Sequence, residues 1–120
     1  MVSPYVYPGL KGTTFFAATH IKLERLRTVL VDYAKRNYTK HYTWTDVMGK
    51  SRKRELVVLR QVYCYFCMKN GLLNSLKEVG ETIGSRDHTT VIHSCKTVKD
   101  LLSAKDEKVT NVVNYVNNNI

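Results

Sequence analysis

Proline and glycine are scarce in this chain of 120 residues, which holds two prolines, Pro4 and Pro8, and six glycines. Beyond residue 8, therefore, no proline stands in the way of long helices. Cysteine is also sparse, and Cys64, Cys67 and Cys95 form an odd set embedded in apolar patterns. That excludes the disulfide framework that staples small secreted domains and leaves reduced, buried thiols as the expectation. No apolar run approaches the ~18 residues needed to cross a bilayer, and the N-terminus lacks the basic start and apolar stretch of a secretory signal. The location expected from these absences is cytoplasmic, with no membrane partner. Acidic residues are few, 10 against 19 Lys plus Arg, for a formal charge of +9. The imbalance favours a polyanionic partner such as nucleic acid or an acidic membrane surface, and charge alone does not choose between them.

What is present reads as one helical domain, because 43% hydrophobic residues at this length suffice for a single modest core. Residues 1–18 hold both prolines with Gly9 and Gly12 and read as an arm or loop. Leu23, Leu26, Leu30 and Tyr33 recur at helical spacing and predict a helix over about 20–36. Thr43 followed by Asp46 suits a short helix stopped by Gly49. Leu56, Leu59, Val62, Tyr63, Phe66 and Cys67 make the longest apolar stripe, ending at Asn70-Gly71, a sequence suited to a left-handed cap. Ser75-Leu76-Lys77-Glu78 is a capping box opening a short helix that Gly84 closes. A new stripe follows with Val91, Ile92, Cys95, Val98 and Leu102. Ser103 through Asp106 can cap a last helix bearing Val109, Val112, Val113 and Val116, in a C-terminal segment over 106–120 whose asparagine tail is expected to fray. No segment sustains alternation of period two, so the class is all-α, with five or six helices.

Two helices joined as tightly as those on either side of Gly84 suggest a helix-turn-helix, here over about 75–102. In that motif the second helix enters the major groove with its first turn against the base edges. The residues there are Arg86, Asp87, His88, Thr89 and Thr90, and each type can read DNA. Arginine forks onto guanine, a carboxylate accepts from the cytosine amine, and threonine offers a hydroxyl and a methyl. Asp87 and Thr89 are equally the types that cap surface helices. Between 50 and 60 lie Lys50, Arg52, Lys53, Arg54 and Arg60 against Glu55 alone, a density suited to neutralising phosphates.

The run Gly84-Ser85-Arg86-Asp87-His88-Thr89-Thr90-Val91-Ile92-His93 resembles the G-x-R-D-H-T-T-V-x-H signature of the C-terminal domain of bacterial replication initiators of the DnaA family. Eight positions agree at fixed spacing. Ser75 through Gly80 is similar to the family's first motif helix, and Lys50 through Gln61 occupies the place of its basic loop and long helix. The resemblance covers about residues 20–105, within a domain drawn over 19–105. It implies a Trp-repressor-like helical fold that binds one asymmetric site on double-stranded DNA as a monomer. It further implies that Asp87, His88 and Thr89 face bases, that Thr90 and Lys96 lie nearer phosphates, and that Arg52 reaches the minor groove. Lys53, Arg54 and His93 complete the implied contact surface. Lys77 departs from the family, which usually has a proline there; a lysine favours phosphate. The order Ser51-Arg52-Lys53-Arg54-Glu55 also departs, leaving Arg52 and Arg54 as alternatives for the minor groove.

Other chemistries fit less well. Cys64 and Cys67 with His88 and His93 could be read as a zinc finger, but 20 residues separate Cys67 from His88 where the common finger has about a dozen. Pro8 through Thr13 lacks the ending of a phosphate-binding loop, so no nucleotide is expected. Asp87 and His88, adjacent on a helix, would diverge by about 100 degrees and form no acid-base unit, and no nucleophile accompanies them. The expectation is a DNA-binding protein with no catalytic residues, metal or cofactor. It would act at replication origins, close to the nucleoid, or as a transcription regulator of a phage or mobile element.

Overall fold

A computed structural model describes the backbone of residues 11–73 and 75–120 and the side chains of residues 22–73 and 75–120. Every regular element among them is a helix: α1 (Lys11–Asn37), α2 (Trp44–Met48), α3 (Arg54–Lys69), α4 (Leu76–Thr82), α5 (His88–Ser103) and α6 (Glu107–Asn119). The all-α expectation is met, with six helices.

α3 is the hub, in contact with each of the other five helices. Its Leu56, Val58, Leu59, Val62, Tyr63, Phe66 and Cys67 are buried, and each large apolar side chain so placed contributes about 1.5–3 kcal/mol relative to exposure. The helix ends where Gly71 takes a left-handed φ of 62°. There the Leu72 N–H donates to Cys67 O at 3.0 Å and the Gly71 N–H to Met68 O at 3.3 Å, the paired bonds of a Schellman cap. Cys64 and Cys67 lie in this core, and burial pushes both thiols up to about 12. α1 and α6 close the far side. Val109, Val112, Val113 and Val116 of α6 are buried, and Asp32 of α1 accepts hydrogen bonds from Tyr115 Oη and, at 2.9 Å, from Arg36 Nε. Those two donors, Tyr115 first, hold the Asp32 carboxyl below its usual range.

Four expectations change. The arm or loop over 1–18 does not extend to residue 18, because α1 begins at Lys11; residues 1–10 lie outside the described residues. Phe15-Phe16-Ala17-Ala18 is a continuous apolar run without period, which hides a helix from a search for spacing. The last helix is capped by Asp106, whose carboxylate accepts from the Val109 N–H at 3.0 Å, and not by Ser103, which ends α5. The asparagine tail is helical through Asn119 rather than frayed, with Arg25 donating to Asn119 O at 2.7 Å. Ile92 leaves the apolar stripe altogether and is 45% exposed.

Candidate nucleic-acid interface

α4 and α5 are positioned by the hub beneath them. Ser75 Oγ accepts from the Glu78 N–H at 3.2 Å and starts α4. Thr82 donates its hydroxyl to Val79 O, so the Tyr63 hydroxyl, 2.8 Å away, donates to Thr82 and ties α4 to α3. The turn to α5 uses Gly84 at φ 87°, a left-handed conformation open to glycine at little strain. Val91, Ser94 and Val98 hold one face of α5 in the core.

The opposite face is bare. His88, Thr89, Thr90, Ile92, His93 and Lys96 are exposed, as is Asp87 before them. Asp87 is the N-cap residue of α5, yet its side chain makes no capping hydrogen bond. The first N–H groups of α5 are left without that cap and can meet an anion. Because Asp87 is extended (φ −66°, ψ 150°) and not helical, its carboxylate comes within 3.0 Å of His88 Nδ1. The expected divergence of these two side chains is thereby corrected. The pair is open to solvent, so the imidazole stays accessible to a partner.

The basic segment separates into two populations. Lys50, Arg52 and Lys53 of the loop and Arg54 at the start of α3 are exposed, as is Lys77 in the first turn of α4. Arg60 is 8% exposed; it donates through Nε to Val47 O and through Nη1 to Ser51 O at 2.6 Å. It is thus no phosphate ligand, although the sequence counts it with the others. Burial, then repulsion from Arg86, lowers its pKa from the ordinary arginine value. Arg86 precedes α5 rather than lying on it, and its guanidinium donates to the carbonyls of Ile83, Met48 (3.2 Å) and Gly49 (2.6 Å). Those bonds take three of its five N–H donors.

Sequence reasoning missed Ile92, whose exposure on the line from His88 to Lys96 was hidden by its place beside Val91 in an apolar pattern. It also missed the division of labour among the arginines, for which only the carbonyl partners give a signal. The zinc arrangement is not assembled: Cys64 and Cys67 are buried in α3, His88 and His93 are exposed on α5, and no group of three metal-binding side chains occurs among the described residues. No described helix is long and apolar enough to cross a membrane.

A short helix, a left-handed glycine turn and a second helix with a polar, solvent-facing first turn define a helix-turn-helix domain. Residues 37–98 match the family described as the bacterial DnaA protein helix-turn-helix, and the chain belongs to that family. The chromosomal replication initiator protein DnaA of Chlorobaculum tepidum is 41% identical over 99 residues, 82% of this chain and 19% of the relative. That of Bacteroides thetaiotaomicron is 40% identical over 78 residues, 63% of this chain and 16% of the relative. That of Bifidobacterium animalis subsp. lactis is 38% identical over 77 residues, 64% of this chain and 12% of the relative. The chain therefore spans less than a fifth of the length of these curated relatives. No solved structure matches it.

Proposed function

We propose that this domain binds double-stranded DNA at an asymmetric site of the DnaA-box kind, as a monomer, in replication-origin binding or its regulation. The observation that carries the reading is the uncapped, polar and exposed first turn of α5, held beside a loop whose cations face solvent. Asp87, His88 and Thr89 meet base edges in the major groove, where a carboxylate, an imidazole and a threonine have complementary partners. Ile92 packs on a thymine methyl, which gives an exposed isoleucine on this face an apolar partner. Thr90, His93, Lys96 and Lys77 lie along the phosphates, with the free N–H groups at the start of α5. Arg52 enters the minor groove, and Lys53 and Arg54 neutralise the backbone. The crowding of Lys50, Arg52 and Lys53 around two further arginines is unfavourable in the free protein and is relieved by a polyanion.

Titration of a labelled duplex carrying a DnaA box, and of a scrambled duplex, at two salt concentrations tests this reading. Binding to the box at least about 10³-fold tighter, with both affinities falling as salt rises, is the expected result. Equal affinity for the two duplexes would contradict it.

A further inference from the structure

The segment from Val47 to Ser51 leaves α2 and runs to the loop without strand partners, so its carbonyls depend on side-chain donors or water. Two arginines supply donors from different elements. Arg60, rooted in α3, holds Val47 O and Ser51 O. Arg86, at the threshold of α5, holds Met48 O and Gly49 O, and its Nη1 also reaches Ile83 O at the end of α4. Glycine makes room for this approach: a Cβ at Gly84 would lie 2.3 Å from Met48 O and 2.5 Å from Arg86 Nη1. A Cβ at Gly80 would lie 2.0 Å from the Arg86 carbonyl oxygen. The turn, the loop and the guanidinium therefore pack together in a space that only glycine leaves open.

We propose that Arg86 is a positioning residue that locks the loop bearing Arg52 and Lys53 in register with the first turn of α5, so that loop and recognition helix engage DNA as one rigid unit. This rests on the DNA-binding reading above. A planar fork with donors on both terminal nitrogens holds two chain segments at once, which a lysine ammonium, a single point of charge, does not. With three of its five N–H donors held by carbonyls, Arg86 keeps only Nε–H and one Nη2–H for any other partner. Arg60 braces the loop from α3 and leaves Arg86 as the link to α5.

The test uses the full chain, as wild type and as Arg86→Lys, with backbone ¹⁵N relaxation, circular dichroism as the folding check, and duplex titrations. In the wild type, order parameters for residues 49–53 of about 0.8 or more are expected; values below about 0.6 would overturn the proposal without any variant. In Arg86→Lys the loop values fall below about 0.6. The preference for a DnaA box over scrambled duplex falls about tenfold, while affinity for scrambled duplex and its salt slope stay unchanged. A parallel loss on both duplexes with a salt slope smaller by about one would make Arg86 a phosphate contact and overturn the positioning role. Unchanged dynamics and unchanged preference would overturn it as well. If Arg86→Lys unfolds, Arg86→Gln, which keeps one donor to a loop carbonyl, takes its place with the same outcomes. A wild type that shows no preference for the box removes the DNA-site reading, while the relaxation data still decide whether Arg86 locks the loop.

Discussion

Arg52 and Arg60 stand eight residues apart in one basic segment and have opposite fates. Arg52 is exposed, whereas Arg60 is buried against the carbonyls of Val47 and Ser51. The difference teaches that the charge of a segment says little about which charges can meet a partner. An arginine anchored on backbone carbonyls is a strut; its neighbour with donors in water is a contact. The same division recurs between Arg86, fixed on three carbonyls, and the exposed side chains of α5 that follow it.

The largest effect that sharpens the contrast is on stability. Arg60→Ala strands buried carbonyls and removes the packing of the side chain, and urea unfolding should show a loss of about 2–3 kcal/mol. Arg52→Ala should stay within about 0.5 kcal/mol of wild type in the same measurement, as surface changes usually do. His88→Ala and Thr89→Ala should invert that pattern. Each leaves the urea midpoint nearly unchanged and weakens binding to the preferred duplex by about 1–3 kcal/mol. Ile92→Ala, on a residue that is 45% exposed, should weaken binding by about 1 kcal/mol in titrations, and the loss should vanish when the contacted thymine is replaced by uracil, which lacks the methyl. Lys53→Ala should lower affinity for specific and scrambled duplexes alike and reduce the salt slope by about one. A loss confined to one sequence would place Lys53 on a base.

A separate effect, read in pH rather than in side chains, concerns alkali. Cys64 and Cys67, with ordinary values of 9.0, are held up to about 12 by burial. Between those limits the unfolded chain binds fewer protons than the native one, so stability falls as pH rises from 9 toward 12. Thermal melts across that range should show the decline, and replacing both thiols with alanine should make it shallower; Cys95 and the tyrosines Tyr38 and Tyr63, whose ionisation burial also opposes, supply the rest.

Much of this architecture was written in the pattern of the chain. The stripe from Leu56 to Cys67, the Asn70-Gly71 stop, Ser75 at the start of α4 and the break at Gly84 are local signals, each set by spacing or backbone conformation, and the structure places them where they point. The polar run from Asp87 to Thr90 was legible for the same reason. Signals that depend on partners distant in sequence were not. Arg60 and Arg86 meet carbonyls 9 to 38 residues away, and no spacing rule registers such bonds. Ile92 failed differently: beside Val91 it satisfies an apolar pattern, and only the rotation of α5 against α3 shows which of the two faces inward. Asp87 was read as helical and proved extended, which is why its contact with His88 was not foreseen.

The central claim is that the first turn of α5 reads bases while the loop grips the backbone and minor groove. The most direct measurement is a base-pair substitution scan across the bound site, taken with wild type and with Thr89→Ala. The account predicts that the variant loses discrimination at one or two adjacent positions and keeps the wild-type profile elsewhere. A profile lowered uniformly, or left unchanged, would contradict it.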